Sequence, residues 1–175
     1  MGKEKKCTLY KKYTSYKKCI PYLILAGFTF FFCWWFVGRH GIFGAKVDWL
    51  SQHSVLPDYF RQQFYATGKI FPEFAPNLGG GQNIYHFAYY GLYSPLILPS
   101  YLLPFVKMSD YIMVISITGL TVSVLLFYYW LKSRKMDTGV AFIISLMFML
   151  AGPMIGQYSG QIMFVDYMPF LCLAL

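Results

Sequence analysis

Asp48 and Gln52 stand four residues apart in the run Asp48-Trp49-Leu50-Ser51-Gln52, just beyond a long apolar segment. On a helix that spacing puts both side chains on one face. A carboxylate can take the proton of an attacking hydroxyl, and a carboxamide beside it can orient neighbouring hydroxyls. The plain alternative for Asp48 is a helix start, since aspartate before an apolar-periodic run is a common N-cap. Gln52 on its own reads as an interfacial amide. Asp166 is a second acid of interest, because a carboxylate next to an apolar span is costly unless it is solvated, paired or used. Arg61 and Lys69 are cations able to meet a phosphate, although solvated loop cations are the simpler reading of both.

Transfer of a group from a phosphate to a hydroxyl would need such a base, and cations or N–H donors to steady the departing phosphate. Burial against Trp49 and lipid would raise the Asp48 pKa, and Lys46 or Arg61 would oppose the rise. No metal chemistry is indicated. His40, His53 and His86 have no ligand spacing, and His53, one residue past Gln52, points well off the Asp48 direction. Cys7, Cys19, Cys33 and Cys172 lack any CxxC spacing and suggest neither a metal site nor a disulfide. No cofactor is called for, and a divalent metal is left open.

The elements that must hold these residues are membrane helices. The sequence is 57% hydrophobic and 21% aromatic, and its apolar residues gather in blocks near the roughly 20 residues that cross a bilayer. The expected fold is an all-α integral membrane protein, a polytopic helical bundle with a long extracytoplasmic first loop containing juxtamembrane helices. A basic cytoplasmic arm occupies 1–19, the first span 20–37, the long loop 38–109 and the second span 110–131. A cytoplasmic turn follows at 132–138, the third span at 139–155, an outer loop at 156–166, and the start of a fourth span at 167–175. The unfinished fourth span leads us to expect the first part of a longer protein.

Orientation follows from Lys and Arg. Lys3, Lys5, Lys6, Lys11, Lys12, Lys17 and Lys18 precede the first span, and Lys132, Arg134 and Lys135 fill the short turn. The far longer stretch 38–109 holds only Arg39, Lys46, Arg61, Lys69 and Lys107. The positive-inside rule makes the arm and the turn cytoplasmic and the long loop extracytoplasmic. Anionic membrane lipid accounts for the basic arm, and no nucleic-acid partner is needed. A cleaved secretory signal fits the first span less well than a retained anchor, given its length and the run Phe28 to Phe36.

Within the loop, Val55, Leu56, Tyr59, Phe60 and Phe64 follow Asp48 and Gln52 at helical spacing, which predicts an amphipathic surface helix over 47–65, kinked or divided at Pro57. Turn formers from Phe71 to Asn83 end it. Gly79-Gly80-Gly81 can bring backbone amides to a phosphate, but no Gly-Lys-Ser/Thr follows, so a surface turn is the simpler account. The segment 96–106, with two prolines, is too short to cross and predicts an interfacial or re-entrant helix. Trp34, Trp35, Tyr85, Tyr89, Tyr90 and Tyr93 mark an aromatic belt, some of whose rings can also stack on a sugar. Gly152-Pro153 predicts a loosened helix beside Gln157 and Gln161.

The order Asp48…Gln52, Asn77-Leu78-Gly79-Gly80-Gly81, Tyr89-Tyr90…Ser94-Pro95, and more weakly Gln161-Ile162-Met163-Phe164-Val165-Asp166, resembles the amino-terminal part of the YfhO-type bacterial membrane proteins. The resemblance runs from about Ile20 onward. It implies a GT-C-type glycosyltransferase that takes a sugar from a polyprenyl-phosphate carrier and places it on an extracytoplasmic acceptor, such as a teichoic-acid-type polymer of a Gram-positive envelope. It places the catalytic acid at Asp48 with Gln52 beside it. Arg61, Lys69, Asn77, Tyr89, Tyr90 and Asp166 become its expected substrate contacts. The family often sets glycine directly before the acid, whereas here Ala45, Lys46 and Val47 separate Gly44 from Asp48. Two other classes share these features, a transporter or flippase for an envelope precursor and a non-enzymatic membrane assembly subunit.

Overall fold

The computed structural model describes the backbone of residues 2–41, 43–44 and 48–175, and within those segments the side chains from residue 18 onward except 157–159. The side chains of the arm's lysines up to Lys17, together with Cys7, Lys46, Val47 and Gln157, therefore lie outside the described residues.

The arm and the first apolar block form one helix, α1 (Gly2–His40). The 23 residues from Lys18 to His40 cover about 35 Å at 1.5 Å per residue, more than a bilayer core of ~30 Å. The 26 residues of α3 (Met108–Ser133) are likewise long and apolar enough to cross. Helix α3 is the hub of the bundle. It packs on α1, on α4 (Thr138–Leu150) and on α6 (Ile162–Ala174). Its buried side carries Ser116, Gly119 and Ser123, small residues that let neighbouring helices approach. The hydroxyls are satisfied within the helix, Ser116 donating to the Ile112 carbonyl at 2.7 Å and Ser123 to Gly119 at 2.8 Å. These two buried hydroxyls thus enter an apolar bundle already paired.

The apolar segment 139–155 is built as two helices. Helix α4 stops at Leu150, Ala151 is extended (φ −61°, ψ 133°), and α5 (Gly152–Gly160) begins immediately. Pro153 cannot supply an N–H to the Met149 carbonyl, so the ladder of α4 is interrupted there, and in the first turn of α5 the missing N–H costs no bond. The Ile155 N–H then bonds to the Ala151 carbonyl at 3.1 Å and helix resumes.

The polar stretch between α1 and α3 is a folded cap with its own core, in which Trp49, Leu56, Phe60, Ala75, Ile84, Leu92 and Ile97 are buried with Met108 and Ile112 of α3 and Ile162 of α6. The helix expected over 47–65 appears as a π-helical segment, Trp49–His53, followed by α2 (Val55–Thr67). The division falls at Ser54, upstream of Pro57, which sits in the first turn of α2 where its missing N–H costs no intrahelical bond. Helix α2 ends on Gly68 in the left-handed region (φ 70°). A hairpin follows, β1 (Phe74–Ala75) pairing antiparallel with β2 (Gln82–Asn83), and the glycine run turns the chain between them.

The segment 96–106 forms only a short 3₁₀ helix, Leu98–Leu102. Its carbonyls are taken by side chains from both flanks. Tyr111 donates to Leu96 at 2.7 Å, Tyr65 to Tyr101 at 2.5 Å, and Arg61 to Leu103 and Val106 at 3.1 and 2.9 Å. Irregular backbone is stable here because these donors satisfy acceptors that no helix ladder supplies.

Candidate functional site

Asp48 and Gln52 are both exposed, while Trp49 and His53 are both buried (1% and 4% exposed). The four-residue spacing gives this division, 48 and 52 on one face and 49 and 53 on the next, and the turn that carries it is π-helical. Its closing bond runs from the Ser54 N–H to the Trp49 carbonyl at 3.0 Å, a five-residue span, and the widened turn seats two large rings, four residues apart, against the cap core. Gly44 leaves room for the Trp49 indole, for a β-carbon there would fall 2.5 Å from the ring. Asp48 itself has helical backbone angles (φ −69°, ψ −34°), and its side chain makes no capping bond.

The exposed row is tied to the rest of the cap by Tyr90. This residue ends a 3₁₀ helix, Ile84–Tyr90, whose first turn is capped by the Asn83 side chain accepting from the Tyr85 N–H at 2.9 Å. The Tyr90 hydroxyl donates to Gln52 Oε1. Its ring lies 5.2 Å from the His53 imidazole and 4.2 Å from the Tyr89 ring. Burial, the Tyr89 hydroxyl and the Asp48 charge push the Tyr90 hydroxyl up to about 12, so it stays a donor at neutral pH. Burial holds His53 below its ordinary 6.5, and the Asp48 carboxylate pulls the other way. Asp48, Gln52, His53 and Tyr90 thus form one electrostatic neighbourhood.

Tyr89 leads from that neighbourhood into an open groove of about 610 Å³ between the cap and α6. Tyr93, Met163, Tyr167 and Phe170 make its apolar walls, and Ser94 and Asp166 supply its polar end. The Ser94 hydroxyl donates to Asp166 Oδ1 while accepting from the N–H groups of Leu96 and Ile97, each at 3.1 Å. Asp166 is thereby held by the same turn that shapes the groove.

The remaining candidates lie elsewhere. Arg61 is buried, ion-paired with Asp58 at 2.6 Å and bonded to two carbonyls of the 96–106 segment. It lines a different cleft, of about 460 Å³, with Tyr59, Gln62 and Lys107. Lys69 is exposed and faces Glu73 at 3.7 Å. Asn77 is exposed in the hairpin turn, where Gly79, Gly80 and Gly81 all adopt positive φ and the Gly81 N–H bonds to the Leu78 carbonyl at 2.9 Å. The structure therefore links Asp48 and Gln52 to Tyr90 and Tyr89, places Tyr89 and Asp166 on the groove, and sets Arg61, Lys69 and Asn77 apart from it.

Two residues of the site were not singled out by spacing. His53 turns inward beside Tyr90 because it shares a face with buried Trp49 four residues before it; a helical wheel separates it from Asp48 but does not say that this second face is the buried one. Ser94 lay within the Tyr89-Tyr90…Ser94-Pro95 string, and a serine before proline at a turn was its available signal. Among the described residues no cluster of three or more His, Cys, Asp or Glu has metal-holding geometry. Comparison with curated proteins and with solved structures returns no match. A family model described as "Bacterial membrane protein YfhO" matches residues 18–175, and the chain belongs to that family.

Proposed function

We propose that this protein is a membrane glycosyltransferase that moves a sugar from a polyprenyl-phosphate carrier to a hydroxyl of an extracytoplasmic envelope acceptor, such as a teichoic-acid-type polymer. One observation carries the reading. An exposed, non-capping carboxylate, Asp48, and its partner amide share the Tyr90–Tyr89 pair with an apolar groove that ends on Asp166. The association of the family with glycosyltransferase-type membrane proteins supports it.

In this reading the isoprenoid part of the carrier lies along Tyr93, Tyr167 and Phe170. Asp48 takes the acceptor's hydroxyl proton as that oxygen bonds to the anomeric carbon. The bond from the anomeric carbon to the carrier phosphate oxygen breaks, and polyprenyl phosphate leaves with the electron pair. Tyr90 fixes Gln52, which orients hydroxyls of the sugar or acceptor. Arg61 serves the architecture of the cap, and Lys69 and Asn77 contact the polymeric acceptor at the rim. The cap faces the outside of the cell in this proposal.

The test is carrier-dependent sugar transfer by the full-length protein in liposomes. Because Asp48 is exposed and makes no capping bond, Asp48→Asn should leave the thermal midpoint unchanged while lowering transfer by about 10²- to 10⁴-fold. Full transfer with an unaltered linkage in that variant would remove Asp48 as the base. Substrate flux without transfer would favour a transporter, and neither activity an assembly subunit.

A further inference from the structure

At the end of the bundle opposite the cap, Lys18, Pro21 and Tyr22 of α1 meet Tyr128 and Lys132 of α3 and Thr138 of α4 around a cleft of about 400 Å³. We propose that this cleft binds the phosphate headgroup of an anionic phospholipid from the adjoining leaflet. The inference is independent of the glycosyl-transfer reading.

The donors suit a phosphate. Lys132 Nζ bonds to the Met136 carbonyl at 2.7 Å and to Thr138 Oγ1 at 2.9 Å. An ammonium has three N–H groups, so one remains for a ligand. Thr138 accepts from Lys132 and keeps its own hydroxyl proton to donate. Lys18, exposed at the mouth, adds the second charge. The edge-on contact of Tyr22 with Tyr128, 4.8 Å between centroids, makes a firm aromatic wall of the kind that sits at headgroup depth. One turn along α1, Leu23 and Ile24 are 70% and 52% exposed and offer an apolar path for acyl chains. Asp137 is the opposing charge, but its carboxylate accepts from the Gly139 and Val140 N–H groups at 2.8 and 3.3 Å as the cap of α4. Arg134 and Lys135 at the same turn outweigh it. A basic pocket between membrane helices is a recognised form of headgroup site.

Native mass spectrometry of the full-length protein, loaded with equal phosphatidylglycerol and phosphatidylcholine of matched chains, tests the assignment. Phosphatidylglycerol should be retained preferentially, and Lys18→Gln should weaken its retention about fivefold, the effect of one interfacial cation. Lys132→Gln should weaken it further but also loosens the turn, so Lys18→Gln is the deciding variant. Lys107→Gln, which removes a charge at the cap end, should change nothing. Equal retention of the two lipids, or no response to Lys18→Gln, would overturn the proposal. Displacement of bound lipid by millimolar inorganic phosphate would also overturn it, by assigning the cleft to the free anion.

Discussion

His53 is the residue whose chemistry can be followed most directly by pH. Its imidazole is packed between Trp49 and Tyr90, with ring centroids 6.1 and 5.2 Å away, and Nδ1 has no hydrogen-bond partner among the described residues. Burial lowers its pKa from the ordinary 6.5, with Asp48 opposing. The unfolded chain therefore holds more protons than the folded one between the folded value and 6.5. Stability is complete above 6.5 and falls as pH drops through that window, by at most about 1.4 kcal/mol per pH unit for one proton. His53→Gln cannot titrate, so thermal midpoints of the purified variant between pH 7.5 and pH 5 should decline less than those of the unaltered protein. Parallel declines would show that the imidazole is not desolvated. Arg61 teaches a related lesson about individual residues. Its spacing reads as a free loop cation, yet the carbonyls it binds lie more than forty positions ahead, at Leu103 and Val106. No local pattern contains that information.

The cap depends on a few short elements being turned correctly, and Gly91 is the sharpest case. It follows the 3₁₀ helix with φ 108°, and its N–H bonds to the Ala88 carbonyl at 3.1 Å. A β-carbon there would fall 2.9 Å from Ile97 Cγ1, a buried side chain. Gly91→Ala thus combines an unfavourable backbone with a clash, and should cost about 1–3 kcal/mol. Gly80, with φ 81° and open space around it, isolates the backbone part, so Gly80→Ala should cost less. Denaturation midpoints of the two variants compare them directly, and equal losses would mean that the Ile97 contact is soft. Among the elements, the apolar blocks were legible because length and composition suffice to mark a helix such as α3. The amphipathic pattern after Asp48 was legible too, as was a division of that helix. The place of the division was not, since a single wide turn at Trp49–His53 shifts every later side chain without changing which residues are apolar. The segment 96–106 has the composition of an interfacial helix. It is mostly irregular because Pro99 and Pro104 withhold N–H donors and side chains from α2 and α3 take its carbonyls.

For the molecule as a whole, the bundle joins two ends of opposite character. Lys18 and Lys132 line one cleft, so the basic arm and the α3–α4 turn share an end, and the cap closes the other through Met108, Ile112 and Ile162. The two basic clusters consequently act together under the positive-inside rule, with seven lysines before the first span and three cations in the turn. Opposed clusters would have left orientation a contest; shared ones reinforce each other, and the expected outcome is a cap on the outer side. Gln62 is exposed on the cap and Ser133 at the end of α3, so each reports one end. In a background with Cys7, Cys19, Cys33 and Cys172 replaced, a membrane-impermeant maleimide should label Gln62→Cys on intact cells and Ser133→Cys only after permeabilisation. The reverse pattern would put Asp48 in the cytosol, away from any extracytoplasmic acceptor, and the proposed transfer would fail with it. The phospholipid cleft would survive that outcome, moved to the opposite leaflet, because its lysines and aromatic wall do not depend on which way the bundle points.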